Sequence, residues 1–115
     1  MSSWWWPWAP EAPKPARPSD AAHDPAIRMH FAYMLDFTEP PATFKPLQVA
    51  ELLTPAQLAK LGYENHFQAL PAIYELAWEL REFGDCEILQ KGKLLPEEVS
   101  IPELEGPVRI RRIVS

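Results

Sequence analysis

The sequence has few of the residues from which disulfide frameworks, phosphate-binding loops and membrane spans are built. Its 115 residues contain a single cysteine, Cys86, which has no second thiol to pair with. The four glycines stand apart from one another, whereas a nucleotide-binding loop needs them clustered. No apolar run approaches the roughly 20 residues that cross a bilayer. We therefore expect a soluble cytoplasmic or nuclear protein with no membrane span.

Positive charge is also in short supply. Eleven Lys and Arg residues face sixteen Asp and Glu residues, so the formal net charge is -5. A protein that holds nucleic acid through its phosphates normally presents a basic surface, so the bulk charge disfavours DNA or RNA as a partner. The three histidines lie far apart and lack neighbours at metal-ligand spacing, and Cys86 lacks a paired base. We expect no enzyme, no catalytic residues, no metal and no cofactor.

Proline is abundant, with 14 residues, and it is densest near the N-terminus. Proline at this spacing blocks helix formation and favours extended chain. The same region carries four tryptophans, which are Trp4, Trp5, Trp6 and Trp8. The sequence therefore predicts two parts: an extended Trp/Pro-rich segment over residues 1–22 and a folded domain over residues 23–115.

Capping residues followed by proline predict the starts of the helices in the domain. Asp24-Pro25 opens a helix that should end near Phe37, and Thr54-Pro55 repeats the signature before Gly62. The predicted helices cover residues 25–37, 46–53, 55–61 and 66–83. Pro71 lies inside the last of them, so either this helix kinks or a turn precedes a helix that begins at Leu70.

Strand signals occupy the remaining sequence. Residues 43–45 favour a short strand, residues 86–95 a longer one, and the Glu- and Pro-rich residues 96–106 a loop. Val108 and Ile110 alternate with arginines, which is typical of a half-buried strand. The order of elements predicts a mainly α fold with a small, two-stranded β wing, similar to a winged helix-turn-helix.

Four segments resemble those of a known family. They are residues 44–50 (Phe-Lys-Pro-Leu-Gln-Val-Ala), 67–71 (Phe-Gln-Ala-Leu-Pro), 90–92 (Gln-Lys-Gly) and 106–111 (Gly-Pro-Val-Arg-Ile-Arg). On these segments the chain is similar to a small, stand-alone winged-helix family of unknown function. It departs from that family where residues 45–48 replace a Cys-Pro-Ser-Glu run and where Phe67 replaces a tryptophan. The resemblance implies a winged-helix fold and supplies no catalytic or binding residues.

Protein binding is the leading functional hypothesis. The tryptophan-rich head would expose much apolar area, which usually has a use, and docking on protein, either a partner or a second copy of the chain, is the favoured interpretation. The alternatives are that the head folds back over its own domain or lies at a membrane interface, where only Lys14 and Arg17 are near to attract anionic lipid. The last long helix adds a second candidate surface. At about 100° per residue its core stripe holds Leu70, Ile73, Ala77 and Leu80. Its opposite face holds Gln68, Ala72, Glu75, Glu79 and Glu82, with Trp78 beside them. This acidic face would suit a basic or amphipathic partner, unless Trp78 instead packs under the wing or under the N-terminal segment.

DNA binding through the wing is the alternative. The carboxylates of the last helix would repel phosphates, so any contact should come from a basic edge. The residues of this basic edge are Lys91, Lys93, Arg109, Arg111 and Arg112. The competing interpretation is that Arg109 and Arg111 are only the outward half of an edge strand, with the glutamates of residues 97–105 as counter-charges.

Overall fold

The computed structural model describes residues 14–104 and 106–114, so the four predicted head tryptophans lie outside the described residues. The described residues form five α-helices and a three-stranded antiparallel sheet, which confirms a mainly helical fold with a small β part. The elements are α1 (Pro18–Ala21), α2 (Pro25–Phe37), α3 (Pro46–Glu51), α4 (Pro55–Lys60), α5 (Leu70–Glu82), β1 (Cys86–Gln90), β2 (Lys93–Leu94) and β3 (Arg109–Arg112). None of these helices is long and apolar enough to cross a membrane.

The predicted cap-and-proline starts are confirmed. Asp24 accepts a hydrogen bond from the Ala26 amide at 2.9 Å, and Pro25 is the first residue of α2. Thr54 and Gln57 cap α4 reciprocally, each side chain accepting from the other's backbone amide. Proline fits these positions because the first amides of a helix have no partner within the helix.

The structure resolves the two alternatives for Pro71. A single 3₁₀ turn covers His66–Ala69, and α5 begins at Leu70 with Pro71 in its first turn. The Asn65 side chain caps the turn by accepting from the Gln68 amide at 3.1 Å. The proline therefore starts the helix and does not kink it.

The strand predicted over residues 86–95 is wrong, because a hairpin divides it. Lys91 and Gly92 have φ values of 53° and 78°, and two successive positive φ angles turn β1 tightly back into β2. The strand order is β2-β1-β3, with Ile88 opposite Ile110, so the predicted two-stranded wing is a three-stranded sheet. The strand predicted at residues 43–45 is a single bridge between Phe44 and Ile110.

The core lies between the helices and one face of the sheet. Phe31 and Phe44 meet edge to face with ring centroids 5.6 Å apart, and both are buried with Ile110.

Ala72 was predicted to face outward, and this is wrong, because it is fully buried. α1 and α3 both pack on α5, so the buried arc of α5 is wider than a single stripe, and a small side chain at position 72 suits close packing.

Residues 14–22, here called the N-terminal arm, pack on the rest of the domain. The prediction of extended chain is wrong for residues 18–21, because they form helix α1. Ala21 and Ala22 are buried, and α1 lies against α5. The Ala16 amide donates to the Leu61 carbonyl at 2.8 Å, and the Tyr63 hydroxyl donates to the Ala16 carbonyl at 2.8 Å. Burial, with a smaller contribution from the nearby Asp24 carboxylate, raises the pKa of Tyr63. The hydroxyl therefore keeps its proton and remains a donor to the arm.

Candidate functional site

A groove of about 760 Å³ opens between the start of α5, the chain that enters α3, and the hairpin with the chain that enters β3. Its apolar lining residues are Pro41, Pro46, Leu47, Leu70, Tyr74, Leu89, Pro107 and Val108. Its charged lining residues are Lys45, Lys91, Arg109 and Arg111. An apolar surface with a few convergent polar groups is the usual form of a binding site.

Local structure explains how these side chains reach the groove. Pro46 starts α3, which places Leu47 on its first turn. Leu70 and Tyr74 stand four residues apart at the start of α5 and therefore share one helix face. On the opposite wall, the Gln90 side-chain amide donates to the Gly106 carbonyl at 3.3 Å and joins the hairpin to the chain before β3.

The rim of the groove is cationic. No carboxylate occurs among its described lining residues. Arg111 is partly neutralised, because its Nε atom lies 2.6 Å from Oε1 of Glu87 on the paired strand. Arg109 makes a weaker contact, donating to the Thr43 hydroxyl at 3.3 Å. Lys45 and Lys91 are exposed and complete a rim that favours negatively charged ligands.

Tyr74 adds a hydroxyl to the apolar wall. Burial raises the pKa of Tyr74, because the ionised phenolate is disfavoured away from water. The side chain therefore stays neutral well above physiological pH. Its ring contributes apolar surface to the groove, and its hydroxyl can donate one hydrogen bond.

The predicted basic edge is divided between two sides of the domain. Lys91, Arg109 and Arg111 line the groove, whereas Lys93 does not. Arg112 lies elsewhere and donates to the Leu35 and Asp36 carbonyls at the C-terminal end of α2, at 3.3 and 3.0 Å. Arg111 pairs with Glu87 on the neighbouring strand, whereas the glutamates of the loop before β3 had been expected as its counter-charges.

The predicted acidic helix face is largely occupied by contacts within the chain. Trp78 is half-buried and donates from Nε1 to the Val99 carbonyl at 3.1 Å. Glu79 pairs with Arg28 at 2.6 Å. Glu75, Trp78, Glu79 and Glu82 line a cleft with Ser19, Ala22 and His23, so the arm covers one side of this face. The alternative in which Trp78 packs beneath neighbouring segments therefore describes it better.

Cys86 is not available for nucleophilic chemistry at neutral pH. Its thiol is buried at the start of β1 and lies 3.7 Å from the Ala77 carbonyl. Burial, with a smaller contribution from Asp85, raises the pKa of Cys86 to about 12. The reactive thiolate is therefore scarce. In the described parts of the chain, no three His, Cys, Asp or Glu side chains converge to hold a metal ion.

Sequence reasoning found three of the groove's cations and missed the rest of its lining. Lys45, Leu47, Tyr74 and Leu89 carried no individual signal, because each looks like an ordinary core or surface residue. One signal was present in the sequence. The four segments that carry the family resemblance, residues 44–50, 67–71, 90–92 and 106–111, contribute most of the lining. These segments are distant in sequence, and only the fold brings them together.

The described residues define the class of the protein: a small, mainly helical domain with a three-stranded antiparallel sheet beside an apolar, cation-rimmed groove. The chain belongs to the family described as Protein of unknown function (DUF3253), whose model matches residues 24–113. This match contains every lining residue of the groove and leaves out the N-terminal arm. No match was found among curated proteins.

Proposed function

We propose that this domain is a non-enzymatic interaction module of winged-helix topology that binds a protein segment in its groove. The order of α2, the bridge at Phe44, α3, α5, β1 and β3 supports the winged-helix part. In this topology α5 takes the place of the recognition helix, α4 is an insertion, and the connection from β1 to β3 is the wing. The observation that carries the binding proposal is the combination of an apolar floor with a cationic rim.

The groove favours an acidic, amphipathic partner. Apolar side chains of a ligand gain about 25 cal/mol for each Å² that they remove from water against Leu47, Leu70 and Leu89. Carboxylates next to those side chains complement the rim and speed association. We therefore propose a peptide segment in which aromatic or aliphatic residues alternate with Asp and Glu. The charge of the proposed partner is the reverse of the one expected from the acidic face of α5.

A nucleic acid matches the groove less well. The cations of the predicted basic edge do not all share one surface, since Lys93 lies outside the groove and Arg112 donates to carbonyls at the end of α2. Of the three that line the groove, Arg111 is already paired with Glu87. α5 contributes only Leu70 and Tyr74 to the groove, and neither is charged. A phosphate backbone would satisfy the rim but would leave the apolar floor without a partner.

Selection from a random peptide library on the immobilised full chain tests this proposal. We expect enrichment of peptides that contain Asp or Glu beside aromatic or aliphatic residues. Lys45→Glu and Lys91→Glu should each weaken the best peptide by roughly tenfold, because a like charge then faces its carboxylates. Lys93→Glu is the matched control, since Lys93 is an exposed lysine on the same hairpin outside the groove. It should change affinity by less than about twofold.

Two outcomes would contradict the proposal. One is enrichment of basic peptides, or of peptides whose affinity ignores Lys45→Glu and Lys91→Glu. The other is binding of a random-sequence DNA duplex that Lys91→Glu and Lys93→Glu weaken equally and Leu47→Ala leaves unchanged. That second pattern would assign the basic edge to DNA backbone contacts, as in the alternative hypothesis.

A further inference from the structure

The outward face of α2 carries an unusual stripe of large apolar side chains. Met29, Tyr33 and Phe37 follow one another at intervals of four residues and therefore share one face of the helix. Their side chains are 55%, 51% and 73% exposed, and the rings of Tyr33 and Phe37 contact each other at a tilt of 36° with centroids 4.7 Å apart. We call these three residues the α2 stripe.

The opposite face of α2 is also apolar, because Ile27 and Phe31 are fully buried in the core. A helix at the surface of a globular domain normally presents polar residues to water on the face opposite its core stripe. A helix that is apolar on both faces is normally buried on both. The α2 stripe therefore lacks a covering element among the described residues, and no residue of the groove belongs to it.

The charges beside the stripe are arranged symmetrically. Arg28 and Asp36 stand eight residues apart, and the small, exposed Ala32 lies midway between them. If two α2 helices cross antiparallel at Ala32, Arg28 of each copy faces Asp36 of the other. Arg28 donates to the Ala22 carbonyl and to Glu79, but its side chain remains 38% exposed, so its other N–H groups can donate to a second carboxylate. At such a crossing, the small side chain of Ala32 would let the two helix backbones approach closely.

We propose that the α2 stripe is a self-association surface, on which α2 of a second copy packs antiparallel about a twofold axis near Ala32. A twofold interface uses the same patch on both copies, so the patch must be complementary to itself. The stripe with its opposite charges meets that condition, whereas the groove, whose rim is cationic, does not. A cleft of about 490 Å³ between α2 and α5 adjoins this face and offers the half-buried Leu35 and Leu80 to the other copy's aromatic rings.

Disulfide trapping tests the crossing point. The native Cys86 is buried and does not compete, so Ala32→Cys introduces the reactive thiol. The matched control is Ala59→Cys, an exposed alanine on helix α4. Under mild oxidation in the full chain, we expect Ala32→Cys to give a covalent dimer at least tenfold faster than Ala59→Cys. Equal rates for the two variants would overturn the proposed crossing.

Sedimentation equilibrium tests the stripe itself. Phe37→Ser should raise the dimer dissociation constant at least tenfold, whereas Phe67→Ser should change it less than twofold. Phe67 is a suitable control because it is 66% exposed and lies in the 3₁₀ turn, away from α2. Asp36→Arg should weaken the dimer because like charges then meet across the axis. The proposal fails if the chain is monomeric at every concentration measured. It also fails if deletion of residues 1–13 abolishes the dimer and Phe37→Ser does not, since the tryptophan-rich segment would then hold the copies together.

Discussion

Replacement of Gly62 by alanine should release the N-terminal arm. Gly62 has a φ of 77°, a conformation that costs an alanine about 1–2 kcal/mol. An added Cβ would also lie 2.6 Å from the Lys14 carbonyl oxygen and 3.0 Å from the Pro15 Cα. Both are backbone atoms, so the arm must move. Its hydrogen bonds with Leu61 and Tyr63 would then be lost, at about 1 kcal/mol each.

Gly84→Ala measures the cost of the positive φ angle alone, without a clash against the arm. Gly84 has a φ of 82°, but a Cβ built there meets nothing within 4 Å. Urea unfolding followed by circular dichroism should therefore give a loss of about 1–2 kcal/mol for Gly84→Ala and about 3–4 kcal/mol for Gly62→Ala. In a chain that lacks residues 1–16, the two substitutions should cost the same. Equal costs in the full-length chain would refute the docking of the arm beside Gly62.

Three further predictions concern the core, the thiol and one surface carboxylate. Phe44→Ala should lower the free energy of unfolding by about 3–5 kcal/mol in urea, because it removes a buried ring packed on Phe31; a loss below 1 kcal/mol would contradict this packing. At pH 8, Cys86 should react with a thiol reagent only as fast as the protein opens, because the thiol is buried and its pKa is raised to about 12; immediate labelling of the native protein would count against this. Hydrogen bonds from the Ser100 hydroxyl and amide lower the pKa of Glu103 in the folded protein. The stabilisation that these bonds give is therefore fully present at pH values above the ordinary pKa of a glutamate, and it is lost as the pH falls through the lowered pKa. Ser100→Ala should raise that pKa in an NMR titration, and an unchanged value would show that the pairing does not form in solution.

The features that the sequence predicted well are those set by neighbouring residues. Asp24-Pro25 and Thr54-Pro55 determine helix starts through one side chain and one fixed φ angle, so both were readable without a fold. The turn after β1 was missed because it begins with Lys91, whose positive φ angle is uncommon for a residue with a Cβ. A lysine gives no sequence signal for a positive φ angle, so the strand was predicted to continue through residue 95.

The features that it could not predict depend on tertiary contacts. In the sequence, Ala21 and Ala22 are ordinary residues of a proline-rich segment. They are buried in the core only because α1 packs on α5. Ala72 was predicted to lie on the outward face of α5, because counting 100° per residue around a helix assumes that only one side of it is buried. The groove is a further case, because Leu47, Tyr74 and Leu89 come from separate parts of the chain.

The most direct measurement of the central claim is an amide NMR titration of the full chain with the acidic, amphipathic peptide that binds most tightly in selection. We predict that the shifted amides lie along the groove, at Leu47, Leu70, Leu89 and Val108, and that the peptide's acidic residues are needed for the shifts. Shifts confined to the acidic face of α5, around Glu75 and Glu82, would contradict the proposed site, as would a complete absence of shifts at saturating peptide.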